Sequence, residues 1–381
     1  MVSLHTRLVG VKRAQAEVYL LLMLLSFATS VTATRLFLEL TGYPQLGNSE
    51  LHIAHVLWGG LLLFLAVLLP LILANRWALH VSALVGGAGV GLFIDEVGKF
   101  ITQSNDYTYP FAAPIIYAFF LLTVLIYLRV RRPARRNSRA ELYQALDGLL
   151  EVLDRDLDHD ERRILLERLD FVIAHAEHPN EAHLAQALYD LLTSDGLEVV
   201  PDRDSLGERL RKRLEAFETR FLRQERLRWL LVLGMGLVGL TSVLLLLISL
   251  AALFVPDVLR AIAIELLANE LRVQSAISLT WYLVRMILEG PVGLLLCFGA
   301  GLLALRRDAI GTQLGYYGLL ISLTMVNLLI FYFDQFGTIA QALLHFTLLM
   351  GVLSYRRRFV LPAQARLALE QGHSLPEPEA L

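Results

Sequence analysis

Eight stretches of this chain stay apolar for about 20 residues each, the length a helix needs to cross the ~30 Å hydrocarbon layer of a bilayer. They lie roughly at residues 17–40, 51–74, 77–103, 111–130, 229–254, 275–304, 309–334 and 338–355. A backbone in lipid has to satisfy its own hydrogen bonds, so stretches of this length are helical. The expected fold class is all-α: a polytopic membrane helix bundle of about eight transmembrane helices, four plus four, with a helical insert between the halves. The first stretch is too long for the core of a cleavable signal peptide and lacks a small-residue cleavage site after a short apolar run. Composition agrees, at 56% hydrophobic residues and a mean hydropathy of +0.55.

Basic residues set the orientation. Arg7, Lys12 and Arg13 precede the first span, Arg76 lies between the second and third, and Arg129 to Arg136 follow the fourth. Arg223, Arg226 and Arg228 precede the fifth, Arg306 and Arg307 separate the sixth from the seventh, and Arg356 to Arg358 follow the eighth. Every second connection is basic, as eight spans with both termini in the cytoplasm require. Only Lys12, Lys99 and Lys212 among the 34 basic residues are lysines. Such arginine bias suggests a GC-rich bacterial genome, hence a bacterial plasma (inner) membrane. The single cysteine, Cys297, excludes an intramolecular disulfide framework and a CxxC site.

Residues 137–225 differ in kind, with apolar positions at helical spacing among many charges. The expected organisation is a membrane half at 1–136, a soluble cytoplasmic helical insert at 137–225, a second membrane half at 226–360 and a cytoplasmic tail at 361–381. Within the insert, DLDHDERRILLE (156–167) places Asp156, Asp158, Asp160 and Glu167 at calcium-loop spacing, but Glu161 stands where the sharp turn wants glycine. The simpler reading is an acidic cap on a helix starting near Asp160. The halves share a pattern: LFIDEVG (92–98) with FYFDQFG (331–337), GLLLFLA (60–66) with GLLLCFGA (293–300), and VLIY (124–127) with VLSYR (352–356). The same order and orientation are what a parallel repeat produces. Convergence on common interfacial and leucine-rich sequences is the other reading.

The charges inside the apolar runs carry the functional question. In the third span Gly87, Gly91, Asp95 and Lys99 recur every fourth residue and share a face, while Glu96 is turned about 100° away. Gly87 and Gly91 allow another helix to approach closely. Lys99 can pair with Asp95 or with Glu96, but cannot neutralise both. His52 and His55 share a face of the second span. With Asp95 and Glu96 they can hold a divalent metal (zinc, manganese or iron), or form a structural histidine–carboxylate network. In the sixth span Arg285 and Glu289 are four apart near mid-membrane, followed by Gly290-Pro291, which is expected to kink or break the helix. Asn327 and Asp334 share a face of the seventh span, and Gln341 and His345 one of the eighth. If the repeat holds, polar residues of both halves line one outward-facing cavity. His345 reads either as a metal ligand or as an interior hydrogen-bonded histidine. Arg35 and Glu39 read as a surface pair. No Walker loop, GxGxxG, GxSxG or Cys–His arrangement is present, and nothing supports nucleic-acid binding.

The block HIAHVLWGG…GGAGVGLFIDEVGKFIT…NDYTYP, within roughly residues 48–117, resembles a signature of a family of bacterial polytopic integral membrane proteins of uncharacterised activity. The resemblance implies a plasma-membrane protein in which His52, His55, Asp95, Glu96 and Lys99 belong together. The membrane hydrolases related to alkaline ceramidases need Ser-xxx-His and a late His-xxx-His; here Ser49 precedes His52 by three and only Gln341-xxx-His345 stands late. The repeat, the proline in the sixth span and the charges contributed by both halves make the expected function transport or permeation of a cation or small polar solute through a carboxylate/histidine site in the outer half of the bundle. The alternatives are a metal-dependent hydrolase acting on a lipid headgroup, with a carboxylate as general base, and a sensor or assembly factor with the insert as output.

Overall fold

A computed structural model describes residues 10–42, 55–103, 109–132, 136–194, 197, 199–200, 223–254, 276–334 and 338–362. The described residues form helices and no strand; a single isolated bridge joins Asp158 to Val200. In chain order the helices are α1 (Ala16–Thr41), α2 (His55–Ile72), α3 (Arg76–Asp95), α4 (Val97–Ile101) and α5 (Ala112–Arg131). The insert supplies α6 (Ser138–Gly148), α7 (Leu150–Asp154), α8 (His159–His175) and α9 (Pro179–Thr193). There follow α10 (Gln224–Phe254), α11 (Ala276–Ala304), α12 (Asp308–Ile321), a π turn (Ser322–Val326), α13 (Asn327–Asp334), α14 (Thr338–Tyr355) and a second π turn (Arg356–Val360). Among the described residues eight helical segments are long and apolar enough to cross a membrane, and they correspond to the eight expected from the sequence. The protein is an all-α integral membrane protein.

The chain divides into two compact units, one of residues 1–94 and 122–210, the other of 95–121 and 211–381. In the first unit, small residues bring α3 against α1 and α2. A Cβ at Gly87 would collide with the Met23 carbonyl oxygen, and one at Gly91 would lie 2.7 Å from Ser30 Cβ and 3.0 Å from the Phe27 oxygen. Ser26 and Ser30 use this proximity to donate to the Leu84 and Ala88 carbonyls at 2.6 and 3.1 Å. Gly59 of α2 lies in the same way against the backbone of Gly89, Leu92 and Phe93. Backbone contact of this kind is how membrane helices associate where lipid removes the hydrophobic drive.

The insert has its own core of Leu142, Ala145, Leu157, Leu165, Leu169, Val172, Ala185 and Leu192. Its α8 starts at a capping box: the Asp158 side chain accepts from the Glu161 N–H at 2.7 Å, and Glu161 accepts from the Asp158 N–H at 3.2 Å. The 156–167 stretch is thus a capped helix start, in keeping with the simpler reading. Burial pushes the Glu161 carboxyl above its usual range, against the opposing pull of its hydrogen bond from the Asp158 backbone.

The second unit is built on α10 to α14, with a core that includes Leu231, Met235, Leu296, Leu303, Leu319, Val326 and Val352. At one end Arg228, 5% exposed, is held by Asp308 at 3.0 Å, by Glu225 at 2.9 Å and by the Tyr355 hydroxyl at 3.2 Å. Tyr355 in turn donates to Asp308 at 2.7 Å.

Candidate functional site

The third span does not run unbroken. Helix α3 ends at Asp95, Glu96 sits at φ −89°, ψ 9°, and α4 begins at Val97. That dihedral pair belongs to the sparsely populated bridge region. The change of unit, at residues 94–95, falls at the same place. Asp95 is 0% and Glu96 1% exposed, so both carboxylates are inside the protein rather than against lipid. Lys99 resolves its two options in favour of Glu96: its ammonium lies 3.0 Å from Glu96 Oε1, and its backbone N–H donates to the Glu96 carbonyl at 3.0 Å. The break makes this i,i+3 pairing natural, because Glu96 caps the short helix that carries Lys99. Asp95 closes the face of α3 on which Gly87 and Gly91 press against α1. An anionic group at a broken membrane helix, away from lipid, can carry a proton or bind a cation.

Other expected residues stand as follows. His52 lies outside the described residues. His55 opens α2 one turn before Gly59 and is partly buried. Among the described residues no group of three or more His, Cys, Asp or Glu is arranged to hold a metal ion. Arg285 and Glu289 pair within α11 at 3.0 Å, near the middle of that 29-residue helix. Helix α11 passes through Gly290-Pro291 without interruption, so of the kink or break expected there the break does not occur. Proline removes one hydrogen bond there, yet a membrane helix survives it where neighbouring packing and local adjustment compensate, and Gly290 seats against Leu246 of α10. Asp334 is the last residue of α13. Arg35 is 5% exposed, which overturns its reading as a surface residue.

The seventh span carries a second interruption. At the π turn the Asn327 N–H donates to the Ser322 carbonyl, five residues back, and so releases the Leu323 carbonyl from its α-helical partner. The Tyr117 hydroxyl takes its place, donating to that carbonyl at 2.5 Å. Ser322 Oγ and His345 Nδ1 meet at 2.9 Å, both buried, so His345 is an interior hydrogen-bonded histidine. Asn327 is fully buried one turn along. Tyr117 and Ser322 were not singled out by sequence. A lone Tyr and a lone Ser in apolar runs give no signal, and a one-residue slip in the hydrogen-bond ladder leaves no mark in composition.

Polar groups also gather where the insert meets the first membrane spans. Arg76 at the start of α3 pairs with Glu151 and lies 3.9 Å from Asp147, while Arg13 lies 3.8 Å from Asp147. Gln144 donates to the Lys12 carbonyl at 3.3 Å. A cleft of about 560 Å³ opens beside this cluster, lined among others by Asn75, Trp77, His80 and Arg155. Comparison with family models, with curated proteins and with solved structures returns no match for this chain.

Proposed function

We propose that this protein transports or conducts a cation or small polar solute across the membrane, with Asp95 and the Glu96–Lys99 pair as its charged step. The observation that carries this reading is the place of the two interruptions. Among the described residues the third and seventh spans, equivalent in the order of the two halves, depart from α-helix at buried polar residues within the apolar run. The eighth departs from it at its basic end, Arg356–Val360. Discontinuous helices in corresponding positions of two repeats are how many transporters expose backbone and charge to a substrate. A cytoplasmic insert on the same side as the segment before α1 is supported by the meeting of Arg13 and Arg76 with the insert's Asp147 and Glu151, and of the Lys12 carbonyl with Gln144. The test is cation and proton flux into proteoliposomes of the purified chain. Asp95→Asn should abolish flux while leaving the melting temperature within a few degrees of wild type. Unchanged flux in that variant removes the reading.

A sensor or assembly role has one observation in its favour, the ion pairs that join the insert to the ends of α1 and α3. Glu151→Gln combined with Asp147→Asn should then loosen the insert, seen as faster proteolysis within residues 137–200. Unchanged proteolysis counts against such coupling.

A further inference from the structure

The π turn of the seventh span leaves an unusual residue in its wake. Asn327 is 0% exposed, and neither its Oδ1 nor its Nδ2 makes a hydrogen bond among the described residues. The Tyr117 hydroxyl is near enough to interact with the amide; its single proton is committed to the Leu323 carbonyl, so it can offer the amide only its oxygen, as an acceptor for one N–H. The residues beside it and one turn to either side along the helix are apolar and buried (Leu323, Val326, Ile330 and Phe331), and the Phe331 ring stacks on Tyr117 with centroids 4.5 Å apart. Ser322 at the start of the π turn and His345 are engaged with each other. A buried amide without partners is costly, and more so where lipid surrounds the bundle.

The Tyr117 oxygen can meet one N–H at most, so Oδ1 still needs a donor and the second N–H an acceptor, and this selects the chemistry of what can satisfy them. A bare cation would serve Oδ1 and leave the second N–H; an anion would serve that N–H and leave the oxygen. Only a group that donates and accepts hydrogen bonds answers both. We infer that Asn327, with the Tyr117 hydroxyl and the π turn behind it, forms an internal site for an amphiprotic occupant, either water or the hydroxyl of a small polar solute. The inference stands on the second unit alone. It survives if Asp95 proves to have no part in transport, and if solute is the occupant it names the cargo class of the proposed pathway.

The chain has seven asparagines, so selective [15N]asparagine labelling gives few side-chain amide signals. Asn327→Leu identifies the signal of residue 327 by its loss, and Asn327→Ser does so if the leucine variant does not accumulate. In polyol-free buffer the Asn327 amide protons should show magnetisation transfer to a long-lived water; the same measurement is repeated in glycerol. A water cross-peak that persists in glycerol identifies water as the resident. Its replacement by a glycerol cross-peak identifies a polar-solute site. An Asn327 amide with neither cross-peak is sealed dry against Tyr117, and the inference fails.

Discussion

The third and seventh spans depart from α-helix in opposite ways. In the third, the ladder stops at Asp95 and restarts after Glu96, and the residues at the break are charged. In the seventh, the ladder shifts by one residue through a π turn, and the side chains gathered there are neutral: Tyr117, Ser322, Asn327 and His345. The charged break is met by an ammonium and sits beyond a glycine face pressed on α1. The neutral one is met by a hydroxyl that fills the single released carbonyl. A break with charge can bind or relay charge, whereas a π turn with neutral groups redirects hydrogen bonds at little electrostatic cost.

That contrast orders the expected effects. Lys99→Met removes the ammonium 3.0 Å from the buried Glu96 carboxylate and should cost up to about 3–5 kcal/mol of stability, as the loss of one partner of a buried pair does. The double variant Lys99→Met with Glu96→Leu should recover most of this in thermal unfolding, and equal damage from single and double variants would break the ion-pair account. Gly87→Ala puts a methyl group against the Met23 carbonyl, a backbone atom that cannot swing away. It should lower stability by about 1–3 kcal/mol. Gly301→Ala, with nothing within 4 Å of its Cβ, should be neutral or stabilise by up to ~1 kcal/mol through helix propensity. Similar melting temperatures for the two alanine variants would mean that the glycine face is not a packing seam.

Tyr117→Phe exposes the Leu323 carbonyl inside the protein and should cost about 1–3 kcal/mol. If it proves as damaging as Lys99→Met, the neutral interruption is not the milder of the two. The smallest effects lie in the insert. Asp158→Ala removes the α8 cap, for a loss of about 1 kcal/mol. Burial raises the folded-state pKa of Glu161 above its unfolded value, so the folded form binds the proton more tightly. Its contribution to stability is therefore fully present below the unfolded value and declines as pH rises through the raised one. Glu161→Gln should flatten that slope in pH-dependent unfolding.

Much of the architecture was legible because lipid is a demanding solvent. Long uncharged runs have only one way to satisfy their backbone, and helix ends fall near the first charges, so α1, α10 and α11 lie within a few residues of expectation. The Asp158–Glu161 cap was legible because its chemistry is local. What escaped depends on three-dimensional packing. Nothing in FIDEVGKF separates a straight helix from one broken at Glu96, since glutamate and valine are ordinary in helices. Pro291 pointed to a kink or a break, and α11 runs through it unbroken, because the loss of one backbone hydrogen bond does not by itself end a membrane helix. Arg35 looked superficial because a charge near a span end usually reaches water, and its burial depends on neighbours that sequence does not name.

The most direct measurement pairs flux with folding on one preparation: proteoliposome uptake of protons and monovalent cations by wild type and Asp95→Asn, with thermal unfolding of each. The account predicts measurable wild-type uptake, near-complete loss in Asp95→Asn, and closely similar unfolding curves. Equal uptake by the two proteins, with both folded, would contradict it.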